Sequence, residues 1–159
     1  MAIEPYKSDH LEAVAALSLR AWAPVFDSLK QVFDASVYQS FYPEGWRTSQ
    51  EKAVRDVCAS ADMRVWVAIE SAAVAGFVAV RYHATDMLGE IYMIAVDPDY
   101  QRRGIAIALT DFAVERMKEA GMSVAMVETG GDPGHGPARG AYEKAGFRLF
   151  PVARYFKKL

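Results

Sequence analysis

With 159 residues, 52% of them apolar and 24% charged, the chain is long enough to bury a core and too apolar to be disordered. That length points to one domain over residues 1–159, and a formal charge of −2 (18 basic against 20 acidic side chains) excludes nucleic-acid binding by bulk charge. A single cysteine, Cys58, excludes an internal disulfide and a cysteine-rich zinc site. His10, His83 and His135 show no ligand spacing, so no metal is expected. The opening MAIEPYKSDH lacks the apolar stretch of a signal peptide, and no uncharged apolar run approaches the roughly 18 residues of a membrane span. A cytoplasmic protein without a membrane partner is the expectation.

Residues 2–6 read as a short strand. Ser8 and Asp9 then offer N-cap oxygens, Glu12 can close a capping box, and Leu11, Val14, Ala15, Leu17 and Ala21 recur at helical spacing. Pro24, with no N–H to give, is expected to interrupt that helix. The aromatic-rich stretch 25–42 predicts a shorter second helix, which Pro43 ends. A third helix is predicted over 48–60, capped by Thr48 and Ser49, with Ala53, Val54 and Val57 as its apolar stripe.

From there the period changes to two. Residues 63–70 alternate, with Val65, Val67 and Ile69 on one side, and a short turn leads into 74–82, which predicts a hairpin. A third strand, 90–96, ends at Asp97-Pro98. After QRRGIA comes an amphipathic helix with Leu109, Phe112, Ala113, Met117 and Ala120 on one side and Gly121 as its C-terminal stop. The strand at 122–128 must then run parallel to 90–96 if the two share a sheet. A loop, GGDPGHGP, precedes a helix at 137–145, and two closing strands are predicted near 147–150 and 152–157. The fold class is α/β of the α+β kind: a mixed, mainly antiparallel central sheet with helices on both faces.

The most informative stretch is Val96-Asp97-Pro98-Asp99-Tyr100-Gln101-Arg102-Arg103-Gly104-Ile105-Ala106. A strand ends, the chain turns, and a helix starts at a glycine. The first amides of a helix lack carbonyl partners and carry partial positive charge, a natural seat for phosphate. Gly104 and Ala106 leave room for an anion, and Arg102 and Arg103 add charge. A P-loop needs Gly-Lys-Ser/Thr here, but Ile105 follows Gly104, and the dinucleotide fingerprint G-x-G-x-x-G is absent. What remains is Gln/Arg-x-x-Gly-x-Gly/Ala.

That pattern, together with Ala138-Arg139-Gly140-Ala141-Tyr142-Glu143-Lys144-Ala145-Gly146-Phe147 one strand later, resembles the GNAT superfamily of acyl-CoA-dependent N-acyltransferases, from about Val65 to Phe156. The resemblance implies the acyl-CoA N-acyltransferase fold, with acetyl-CoA (coenzyme A) as co-substrate. The backbone of Gln101, Arg102, Arg103, Gly104, Ile105 and Ala106 would cradle its pyrophosphate, and Ile94, Ala95 and Val96 would pair with its pantetheine arm like an added strand. The Val96 N–H would then lie near the thioester carbonyl. Tyr142 is implied as the acid that protonates the departing thiolate, and Glu90, eleven residues before Gln101, as the base that takes a proton from the amine. Asp86 and Glu128 are weaker candidates for the base. Where the superfamily often has an asparagine contacting coenzyme A, this chain has His135, seven residues before Tyr142.

The first helices of the superfamily wall the acceptor site. Trp22, Phe26 and Tyr38, with Asp27, Asp34 and Glu44 nearby, suit a cationic or amphipathic amine, although core packing is the better reading for most of these aromatics. The expected activity is N-acetyl transfer to a primary amine of a small molecule or peptide by direct attack in a ternary complex. A non-enzymatic acyl-CoA-binding module and an O-acyltransferase remain open as alternatives, and so does homodimer formation. Cys58 lies outside the motifs and is expected to be an inert thiol.

Overall fold

A computed structural model describes residues 1–159. Five strands form one sheet in sequence order: β1 (Ala2–Pro5), β2 (Met63–Glu70), β3 (Ala73–His83), β4 (Leu88–Val96) and β5 (Val124–Val127). Every neighbouring pair is antiparallel except β4–β5, joined by the crossover helix α4 (Ile105–Glu119). Helices α1 (Leu11–Val32), α2 (Ala35–Phe41) and α3 (Trp46–Ala59) precede the β2–β3 hairpin, and α5 (Gly136–Lys144) follows β5. None of the helices is long and apolar enough to cross a membrane.

The strands are apolar on both sides because both sides are covered. Val78, Val80, Ile91 and Val96 pack on Ile105, Leu109, Ala113 and Met117 of α4. On the other face Val67, Phe77, Ala79 and Ala95 meet Val14 and Leu17 of α1 and Val54 and Val57 of α3. Gly76 sits where β3 and β4 approach: a Cβ there would stand 2.8 Å from the Ala95 carbonyl oxygen.

Two features of β4 position the site. Its pairing with β3 skips Tyr92, since Val80 opposes Ile91 and Ala79 opposes Met93. Such a bulge re-aims the side chains that follow. Its pairing with β5 stops at Ile91–Val127, so Tyr92 to Val96 run on with no strand beyond them.

Several expectations are corrected. Pro24 lies inside one continuous helix, Leu11–Val32. It is exposed, so the lost hydrogen bond falls on the solvent side, while Leu17, Ser18 and Phe26 anchor the helix before and after it. Ser8 and Asp9 do not cap this helix: they form a 3₁₀ turn, the Lys7 amide donates to His10 Nδ1, and Glu12 pairs with Arg55 (2.8 and 3.0 Å). The third helix begins at Trp46, before Thr48 and Ser49, with Gly45 as its N-cap. The two closing strands do not form. Pro151 interrupts any ladder there, and the tail instead lays Phe156 on Phe33 and Phe41, with ring centroids 5.5 and 5.1 Å away.

Candidate active site

The end of β4 offers a row of free backbone groups. The Asp97 amide donates to Ala75 O at 2.9 Å, on the β3 side. Backbone direction alternates along a strand, so Val96 and Ile94 point the other way, over the open edge where β5 has ended. The Val96 carbonyl on that edge accepts from Gln101 Nε2 at 3.1 Å. The Val96 and Ile94 amides face the cleft between β4 and β5.

The edge leads straight to the start of α4. Arg102 and Gly104 take positive φ (60° and 81°), and Gly104 is the N-cap. This left-handed turn aims the first helix amides outward, and nothing lies within 4 Å of where a Gly104 Cβ would sit. The loop is braced from α1. Arg20 reaches Asp97 at 3.0 Å and Asp99 at 2.8 Å, while the Asp97 carboxylate also accepts from the Asp99 amide at 2.9 Å.

Above this turn lies a cleft of about 390 Å³. Val96, Gln101, Arg102, Gly104, Ile105 and Ala106 line it, and so do Ile107, Pro137, Gly140, Ala141 and Lys144. The first six are sequence-predicted site residues. Pro137, Gly140, Ala141 and Lys144 were missed, although their i, i+3, i+4, i+7 spacing makes one stripe of α5, small except for a terminal cation. The cleft thus joins backbone donors, small residues and two cations, a chemistry that fits a phosphorylated, extended ligand.

Other predicted residues stand apart from its walls. Ala95 is buried on the opposite face of the sheet, and the Arg103 guanidinium lies over the Tyr100 ring at 5.3 Å. Ile94 packs its side chain against the α4 core. His135 faces α1: its Nδ1 bonds the Asp132 carboxylate, which accepts from Ser28 Oγ at 2.6 Å. The Gly134 amide also donates to Ser28 Oγ, at 2.9 Å, and a Cβ on Gly134 would come within 2.6 Å of Ser28 Cβ. Gly134 therefore allows the loop a close approach to α1.

Tyr142 lies on α5 between Ala141 and Lys144 of the cleft wall, edge-on to Phe147 at 6.1 Å. Burial pushes its phenol pKa up to about 12. Glu90 projects from the face of β4 opposite α4. Its Oε2 lies 2.7 Å from His83 Nε2, and its side chain is 17% exposed.

The proposed acceptor wall is mostly an aromatic stack. Phe26 is buried, stacked on Trp46 at 4.5 Å and edge-on to Tyr42. Trp22 sits edge-on to Phe77. Tyr38 is different: with Asp27, Lys30, Tyr42 and Trp46 it lines a second hollow, of about 280 Å³. Cys58 is half-buried, and burial raises its thiol pKa.

Residues 35–147 match the profile of the "Acetyltransferase (GNAT) family". A mycothiol acetyltransferase of Streptomyces coelicolor is 33% identical over 72 residues, 45% of this chain but 23% of the relative, so the match spans about a quarter of that protein. The ribosomal-protein-S18-alanine N-acetyltransferase of Escherichia coli superposes with a TM-score of 0.69 at 21% identity, covering 94% of this chain and 79% of its own. An aminoglycoside N-acetyltransferase in complex with CoA superposes with a TM-score of 0.62 at 14% identity, covering 99% of both chains.

Proposed function

The chain belongs to the GNAT acetyltransferase family, and we propose that it moves an acetyl group from acetyl-CoA to a primary amine of a small molecule or peptide. The observation that carries this reading is the unpaired edge of β4, which runs from Ile94 through Val96 directly into the glycine-capped start of α4. An extended arm can add to that edge as a strand would, while its diphosphate meets the amides at Gly104–Ala106.

The rest follows from where charge moves. The acceptor ammonium loses a proton to Glu90, and its nitrogen then attacks the thioester carbon. The Val96 amide donates to the oxygen as negative charge builds there. When the C–S bond breaks, the thiolate takes the proton of the buried Tyr142 phenol, and the phenolate recovers the second proton that the former amine nitrogen sheds as the amide forms. Direct attack needs no acyl-enzyme, and Cys58, half-buried with a raised thiol pKa, is a poor nucleophile. The hollow of Tyr38, Tyr42 and Trp46 offers aromatic faces to an acceptor, with Asp27 matched there by Lys30.

Thiol release from acetyl-CoA, followed with glycyl peptides, spermidine, kanamycin, tyramine and matched alcohols, tests the reading. Release that depends on an amine is expected. Release driven by the alcohols alone would make the chain an O-acyltransferase. Binding of acetyl-CoA with no acceptor-dependent release would make it a carrier or sensor.

A further inference from the structure

We propose that His83 is a positioning residue for Glu90: its Nε2–H holds one carboxylate oxygen so that the other is presented, ionised, to the acceptor amine. This rests on the reading of Glu90 as the base. An ionised carboxylate only accepts hydrogen bonds, so the nitrogen 2.7 Å from Oε2 must carry the hydrogen. That assigns the Nε2–H tautomer to a neutral ring, and Nδ1 has no protein partner.

The surroundings make this pairing selective. Arg81 stands directly across from Glu90 in the β3–β4 register, where a simple ion pair would form. Its guanidinium lies instead over the Tyr92 ring, 4.5 Å from the centroid. Tyr92 is the residue the bulge leaves out of the register. The bulge thus supplies a platform for Arg81 and leaves the carboxylate to a titratable partner. The other groups around the pair are few. β2 presents Met63 opposite Arg81, β5 presents Met126 opposite Glu90, and Asp86 in the connecting turn is exposed. The His83 side chain is 35% exposed and its contact with Glu90 is direct.

Two measurements decide. Nitrogen-15 NMR of the free wild-type protein at pH 8 reads the tautomer without any substrate. Nε2–H at His83 is expected, lost to a tautomer mixture in Glu90→Gln, and an Nδ1–H ring in the wild type overturns the proposal. The second measurement uses acetyl-CoA with the most active amine of the panel. His83→Ala should lower kcat by roughly tenfold or more, the loss of one hydrogen bond to a charged group, with KM for acetyl-CoA unchanged. His83→Gln, which keeps a donor near Nε2, should recover most of kcat. Glu90→Gln with or without His83→Ala should give one common rate, because the histidine acts only through the carboxylate. An inactive Glu90→Gln beside a His83→Ala of unchanged kcat overturns the positioning role alone. A fully active Glu90→Gln overturns the base itself.

Discussion

Tyr142 carries the most direct single-residue expectation. Tyr142→Phe removes the proton but keeps the ring on Phe147, so kcat should fall by about a hundredfold or more with the KM for acetyl-CoA held. Its titration is separately visible. Because burial sets the folded phenol pKa at about 12, above the ordinary 10.0, the folded state loses that proton last. Stability from this group is complete below the ordinary phenol value and declines as pH rises through 10 toward 12. Absorbance at 295 nm should show tyrosine ionisation extending to about pH 12, and Tyr142→Phe should reduce its amplitude there. This residue was legible because it sits in a signature with many fixed positions. His83 was not: it lies in no motif, and only the β3–β4 register brings it to Glu90.

At the scale of elements, the proposed chemistry rests on β4, whose free amides are backbone groups. Side-chain mutagenesis tests them bluntly, whereas an amide-to-ester replacement at Val96 deletes only the donor. It should lower kcat by about 10²–10³, the usual worth of an oxyanion donor, and leave the fold intact, since that N–H has no ladder partner. Gly76→Ala makes a contrasting prediction. A methyl group 2.8 Å from the Ala95 carbonyl forces β3 and β4 apart, and chemical denaturation should show a loss of about 1–3 kcal/mol. The sequence announced β4 through its strand-ending Asp-Pro, α4 through amphipathicity, and the turn at Gly104 through a small residue placed where that helix starts. The bulge at Tyr92 carried no local signal, because every residue from Ile91 to Ala95 suits a strand. The length of α1 was obscured for the opposite reason. Pro24 is a strong local signal that the packing of Leu17 and Phe26 overrides.

Across the whole molecule, contacts distant in sequence hold the cleft together. Arg20 braces the loop after β4, and Ser28 fastens the loop before α5 through Asp132, whose side chain is only 4% exposed. Burial pushes the Asp132 carboxyl up, but hydrogen bonds from Ser28 and His135 outweigh it and hold the group below the usual range. A depressed carboxyl stabilises the fold above its unfolded pKa and loses that contribution as pH falls through the folded value. Asp132→Asn should therefore cost about 1–3 kcal/mol at neutral pH, with the gap to wild type closing below about pH 4 in thermal melts. No sequence pattern announces a pairing 104 positions apart, and the unformed closing strands show the same limit: Phe156 follows the aromatics of α1 and α2 instead of a ladder. The central claim concerns where coenzyme A lies. Amide NMR of the labelled protein titrated with CoA tests it most directly. Large shifts should concentrate at Ile94, Val96 and Gly104 to Ala106, and saturable shifts elsewhere that leave those amides unmoved would contradict the account.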